Sequence, residues 1–245
     1  MAKSSPSAPK WERKAEERPE ALYQAALDVF SKNGYHATRL EEVAKAAGVS
    51  KGTIYNYFEN KEDLLRQALE HKFETVFLTT ENALESFQGT AAEKLRFYLS
   101  RAWGRTLTEN WGRFHKLILG EIANELPELF RFWIRKGALP SWRLAEKIIR
   151  DGQAAGEFRA DADAAGMARF AMSGLTHQAF LQTHLGVNKL DDCPPDRILE
   201  AGLDSIISGL AAARGSGKKS GMAVGKSPGK SAGGAGSNKV GGKKK

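Results

Sequence analysis

The sequence predicts an all-α protein, and three observations carry that expectation. Apolar residues recur at helical spacing in segment after segment. No segment alternates apolar and polar residues between hairpin turns. Glycines, prolines and capping residues punctuate the stripes where helices would start and stop. The chain has 245 residues, 41% of them apolar, enough to build a sizeable core.

Residues 1–17 are polar and mixed in charge, contain Pro6 and Pro9, and read as a mobile arm. From Arg18 the pattern turns helical. Leu22, Ala25, Ala26, Val29 and Phe30 form one stripe, and Asn33-Gly34 supplies its stop. Further stripes follow at Leu64, Leu65, Ala68, Leu69 and Phe73, then at Leu95, Tyr98, Leu99, Ala102 and Trp103. A shorter helix is expected over 114–123. Pro127 suits the first turn of the next, and Pro140 should kink or divide the pattern it interrupts. The segment 164–185 is rich in Ala, Gly and Met, and Ile198, Leu199, Leu203, Ile206, Ile207 and Leu210 make a wide apolar face. These two late helices fit a homodimer interface built from 164–185 and 196–211; the alternative is a pair buried only in its own core.

The net charge of +8 is deceptive. Residues 214–245 hold eight lysines and Arg214 without an acid, which leaves the preceding residues at −1. This Gly/Ser/Lys-rich tail has no aromatic residue, cannot form a core and is expected to be disordered. Any case for nucleic-acid binding by the folded body must therefore rest on local pattern. The single cysteine, Cys193, excludes an intrachain disulfide and suits a reducing compartment. No run approaches the length of a membrane span, so a cytoplasmic protein without a membrane partner is expected.

Between Ala37 and Leu65 several local signals agree. Thr38 with Glu41 has the spacing of a capping box, starting a short helix at Arg39 that buries Leu40, Val43, Ala44 and Ala47 and stops at Gly48. Ser50 caps a second short helix, 51–58, and Asn60 a third, with Asp63 at the reciprocal position. Ala44 is small where two helices would cross, and Val49 and Ile54 fill the wedge between them. This is the layout of a helix-turn-helix, whose second helix enters the DNA major groove. Ser50, Lys51, Gly52, Thr53 and Asn56 lie on the exposed face of that helix. Asn56 has the geometry to read an adenine.

The run from Thr38 to Phe58, followed by Asn60-Lys61-Glu62-Asp63-Leu64-Leu65, resembles the N-terminal domain of the TetR/AcrR family of bacterial regulators over roughly residues 19–69. The pattern from Glu146 to Arg159, ending Gly156-Glu157-Phe158-Arg159 before Asp161, resembles the body of one family branch. The resemblance implies a three-helix DNA-binding head (18–64) joined by a long fourth helix to a larger helical ligand-binding and dimerisation domain (65–213). It also implies phosphate contacts from Thr38, Tyr55, Tyr57 and Lys61, with partial core packing an equal reading for Tyr57.

The same family implies an apolar effector cavity in the body, so some aromatic residues of 103–180 should line it; Trp103, Trp111, Phe114, Trp133, Phe170, His177 and Phe180 are the candidates. Arg101, Arg105, His115, Glu121 and His177 are candidate polar contacts to the effector. Core packing is the competing reading for each aromatic. His177 and His184, seven residues apart on a helix, are separated by roughly 10.5 Å of rise and cannot share a zinc ion whose ligands sit about 2.1 Å away. No metal and no cofactor is expected. There is no GxSxG elbow, phosphate-binding loop, dinucleotide fingerprint or HExxH, so enzyme activity is not expected.

The expected function is a homodimeric repressor that leaves a palindromic operator when a small, mainly apolar effector binds. Two alternatives stand beside it. One is an architectural, nucleoid-associated protein dominated by its basic tail. The other is a ligand-binding protein that no longer recognises DNA.

Overall fold

In the computed structural model, which describes residues 10–190 and 192–212, the first helix α1 (Lys10–Asn33) stops where Gly34 turns to a φ of 85°. Residues 10–17, expected in a mobile arm, are helical instead. The run Lys-Trp-Glu-Arg-Lys-Ala-Glu-Glu-Arg is rich in good helix formers, and the helix passes through Pro19. Residues 1–9 of the expected arm and the expected tail at 214–245 lie outside the described residues.

Helices α2 (Leu40–Ala46), α3 (Lys51–Tyr57) and the long α4 (Lys61–Glu85) follow. Helix α5 (Ala91–Thr106) opens on a reciprocal cap: the Thr90 N–H donates to Glu93 Oε2 at 2.8 Å and the Glu93 N–H to Thr90 Oγ1 at 3.2 Å. Next comes α6 (Glu109–Leu117), a π turn (Ile118–Ile122) and α7 (Ala123–Glu125). The helix expected over 114–123 is therefore longer at both ends. Helix α8 (Pro127–Trp133) runs through a second π turn (Ile134–Ala138) into α9 (Leu139–Ala154). This is how the chain accommodates Pro140. A proline lacks the N–H that an α-helix needs, and the wider turn just before it changes the hydrogen-bond register without breaking the helix. The described chain closes with α10 (Ala164–His184), a 3₁₀ turn (Val187–Lys189) and α11 (Pro195–Leu210). The fold is all-α. Among the described residues the sole extended pairing is a bridge between Phe158 and Ala211.

Two apolar clusters form the core. In the second, α5, α9, α10 and α11 bury Leu95, Trp103, Ile149, Ala168, Leu175 and Leu203. In the first, Leu22, Phe30, Val43, Ile54 and Leu65 of α1–α4 are continuous with Phe114, Ile118, Ile122 and Leu129 of α6–α8. The division expected between residues 64 and 65 thus falls inside α4 and is no boundary in packing.

The Gly156–Arg159 segment closes one end of the body. Gly156 takes a φ of 76°, Phe158 is buried, and the Arg159 N–H donates to Leu210 O at 2.8 Å while the Ala212 N–H donates to Glu157 O at 3.1 Å. The Glu157 carboxylate accepts the Ala91 N–H at 2.7 Å, placing a negative charge at the N-terminus of α5. Phe158 fits only because Gly152 of α9 has no side chain. A Cβ there would collide with the Phe158 ring and lie 2.8 Å from Ala91 Cβ. Gly152→Ala is expected to destabilise the protein by ~1–3 kcal/mol through overpacking, read as a lowered midpoint in urea unfolding.

Candidate nucleic-acid interface and ligand cavity

The turn between α2 and α3 is built from backbone hydrogen bonds. The Val49 N–H donates to Ala44 O at 2.9 Å and the Gly48 N–H to Lys45 O at 3.2 Å, the paired bonds of a Schellman motif. Gly48 has a φ of 69°, and a Cβ on it would meet nothing within 4 Å, so the requirement for glycine is conformational and not spatial. Ser50 Oγ then accepts the Thr53 N–H at 3.1 Å, capping α3. Ile54 and Phe58 are buried against α1, α2 and α4, and Val49 packs at the edge of the same cluster.

Fixing that face leaves the opposite one outward. Ser50, Lys51, Gly52, Tyr55 and Asn56 are exposed, with Thr53 half-covered. The Asn56 amide makes no hydrogen bond among the described residues, so its donor and acceptor are both available. Lys51 Nζ lies 2.6 Å from Glu41 Oε1, an oxygen that also accepts the Tyr55 hydroxyl at 3.4 Å. The lysine's hydrogen bond holds the Glu41 carboxyl below its usual range. Tyr57 is 40% exposed with its ring tilted against Phe58, so it is part packing and part surface.

Two expected phosphate contacts are placed otherwise. Thr38 is buried and its hydroxyl donates to Gly34 O at 2.7 Å. The cap of α2 is Arg39, whose N–H donates to Glu42 Oε2 at 3.2 Å. The cap thus sits one residue later than the spacing suggested, because the Thr38 hydroxyl is engaged by Gly34 O. Lys61, at the start of α4, donates to Tyr35 O at 2.8 Å and His36 O at 3.2 Å, with its Nζ 4.4 Å from the Tyr35 ring centroid. Its ammonium clamps the α1–α2 turn to α4.

The same turn is held from the other side. Glu121 Oε2, in the first π turn, accepts the Tyr35 N–H at 2.8 Å and the His36 N–H at 3.2 Å, and Glu125 pairs with the His36 imidazole. Gly34 is needed twice over, for its positive φ and because a Cβ would strike the Glu121 carboxylate. Glu121, expected to face an effector, faces the head instead.

The effector candidates divide. A cavity of about 300 Å³ opens among α4, α5, α6, α9 and α10, and Trp111, Trp133, His177 and Phe180 line it. Trp103 does not: it is buried in the second cluster with its indole N–H unpartnered among the described residues. Phe114 faces the first cluster, and Phe170 is 73% exposed on the outer face of α10. Of the polar candidates, Arg105 and His115 line the cavity, while Arg101 is exposed and lies over the Phe97 ring. Trp142, another aromatic residue of 103–180, also lines the cavity, and Phe73, Phe77 and Met172 were not anticipated. Each lies on a helical stripe that reads equally well as core. His115 Nδ1 donates to Trp111 O at 3.1 Å, and burial pushes its pKa below the ordinary 6.5.

Residues 22–68 match the model of bacterial regulatory proteins of the tetR family. The chain is 39% identical over 80 residues to the fatty acid metabolism regulator protein of Bacillus subtilis, covering 33% of this chain and 41% of that one. It is 31% identical over 150 residues to the transcriptional regulator AcuR of Cereibacter sphaeroides, covering 59% and 66% respectively. The chain thus spans less than two thirds of either relative. In fold it is similar to the transcriptional regulator FadR from Bacillus subtilis in complex with stearoyl-CoA, with a TM-score of 0.63 at 24% identity over 78% of this chain and 98% of that one.

Two outcomes follow from these contacts. Lys61→Ala should lower the melting temperature, because it frees two carbonyls and an aromatic face, whereas Asn56→Ala should leave it unchanged; differential scanning fluorimetry separates the two. Below about pH 6.5 the unfolded chain binds a proton that folded His115 resists, so stability should fall as the pH drops through that value, and His115→Phe should flatten this acid limb in urea titrations.

Proposed function

We propose that this chain, which belongs to the TetR family of bacterial regulatory proteins, is a homodimeric, cytoplasmic transcriptional repressor that releases a palindromic operator when a small ligand fills the cavity between α4, α5, α6, α9 and α10. The observation that carries the reading is the arrangement of α3: one face locked into the core by Ile54 and Phe58, the other offering Lys51, Gly52 and an unengaged Asn56. In this reading Asn56 addresses a base edge, Gly52 lets backbone approach the DNA closely, and Lys51 exchanges Glu41 for a phosphate. Tyr55 and Tyr57 contact the sugar-phosphate backbone.

Dimerisation is assigned to α10 and α11. Phe170 and Gly174 are exposed on α10, and Ala201, Ser205, Ser208 and Gly209 on α11, so one large apolar side chain stands outside the protomer's own core and the second helix also presents small residues outward. A symmetric pair of heads would set the two α3 helices roughly 34 Å apart, one turn of DNA.

Release needs a path from cavity to head, and the first π turn supplies one. Trp111, His115 and Leu119 line the cavity, and Glu121, two residues beyond Leu119, grips the Tyr35–His36 turn. A ligand that shifts this segment would shift the head, and a displacement of a few ångströms would spoil the match to two successive grooves.

The test is fluorescence anisotropy on the DNA upstream of the protein's own gene, beside a shuffled duplex. Asn56→Ala is expected to lose ~1–3 kcal/mol on the specific duplex and little on the shuffled one. Equal affinity of the wild type for both duplexes would refute sequence-specific recognition. Sedimentation equilibrium should give a dimer, and Phe170→Glu should give a monomer with weakened DNA binding.

A further inference from the structure

Several polar groups of the cavity wall are satisfied by the protein itself, while the His177 imidazole and the Trp111, Trp133 and Trp142 indoles make no hydrogen bond among the described residues. The hydroxyls of Thr106, Ser141 and Thr176 donate to the carbonyls of Ala102, Gly137 and Met172, each four residues back in the same helix. His115 spends its one proton on Trp111 O. The Tyr98 hydroxyl, near Arg105, donates to Ser141 O at 2.8 Å.

Arg105 is the only Arg, Lys, Asp or Glu side chain among the described residues lining the cavity. It lies in the last turn of α5, lines the cavity and is largely withdrawn from solvent. A guanidinium has five N–H donors. The one side-chain bond Arg105 makes among the described residues is to Thr80 Oγ1 at 3.3 Å, and no carboxylate there pairs with it. Thr80 in turn donates its own proton to Val76 O. Burial lowers the pKa of Arg105, and the neighbouring Arg101 pushes the same way. A half-buried cation without a counter-ion still loses hydration without compensation, whereas other arginines here, such as Arg96 with Glu200 and Asp204, are paired at the surface. The ligand-free fold tolerates a charge that a ligand would neutralise.

The rest of the wall sets the body of that ligand. Phe73, Phe77, Trp111, Trp133 and Trp142 make it aromatic and apolar, and about 300 Å³ is at the small end of ligand pockets. One cation in such a space balances one negative charge, and the planar guanidinium fork matches a carboxylate in a bidentate pair.

We propose that the effector is a small amphiphilic carboxylate, alkyl or aryl, whose acid group pairs with Arg105 and whose apolar part lies among the aromatic residues of the wall. The assignment rests on the cavity being the effector site.

The experiment uses the full chain and matched probes: decanoate, 1-decanol and decylamine, with 2-naphthylacetate and 2-naphthaleneethanol as the aryl pair. Binding is read from the fluorescence of the cavity tryptophans and from the melting temperature. The carboxylates should bind roughly ten- to a hundredfold more tightly than the alcohols, and the amine most weakly. Arg105→Met should abolish that preference and raise the melting temperature of the ligand-free protein, since it removes an unpaired charge; Arg105→Lys should retain part of the preference. Decanoate or 2-naphthylacetate should release upstream DNA from the wild type and not from Arg105→Met. Alcohols binding as tightly as the acids, or an unchanged preference in Arg105→Met, would overturn the carboxylate while leaving the cavity as a binding site. No response to any probe would overturn the carboxylate and the effector site together.

Discussion

Beside the continuous apolar core, the turn Gly34-Tyr35-His36 ties α1–α2 to both α4 and the first π turn by charge-assisted hydrogen bonds. The turn presents two amide donors on one side and two carbonyl acceptors on another. A carboxylate from Glu121 takes the donors and an ammonium from Lys61 takes the acceptors. Charge-assisted bonds of this kind are shorter and stronger than neutral ones, and here both signs of charge converge on one piece of backbone. The Tyr35 ring stacks on Phe30 and lies beneath Lys61, so the turn is also seated in the apolar core. Helices α1 and α4 and the first π turn meet at this point.

Both π turns lie where the fold needs a helix to depart from regular spacing. The first places Leu119 toward the cavity and Glu121 toward the head within three residues. The second contributes Gly137 and Ala138 to the cavity wall and delivers the chain to Pro140. Gly137 admits the Phe73 ring of α4, since a Cβ would lie 2.9 Å from it. A π turn exposes a carbonyl and widens the helix locally, and such turns are common where side chains must be re-aimed at a site. The cavity is thus shaped by backbone irregularity as much as by aromatic bulk.

The head was largely legible in the sequence. The Ser50 and Asn60 caps, the Gly48 turn and the burial of Ile54 all follow from interactions that span three to six residues. The α2 cap falls on Arg39 and not on Thr38 because the Thr38 hydroxyl bonds back to Gly34 O, while the Arg39 N–H donates to Glu42. Lys61 is the instructive case. Its position marks it as a surface lysine at a helix start, and nothing local reveals that its partners are carbonyls in the preceding turn, 25 and 26 residues earlier.

The sequence by itself determined the all-α class, the helix-turn-helix and its outward residues, because caps, turns and amphipathic stripes are short-range and periodic. Only the tertiary structure decided which aromatic residues meet the cavity. Trp103 and Trp111 sit on similar stripes, and the rotation of each helix about its axis is set by packing against helices distant in the chain. The same holds for Glu121, whose partner Tyr35 lies 86 residues away, and for Arg105, whose lack of a counter-ion is a property of the assembled wall. Contacts of that separation leave no pattern in a single sequence, since either residue would look the same with any other neighbour.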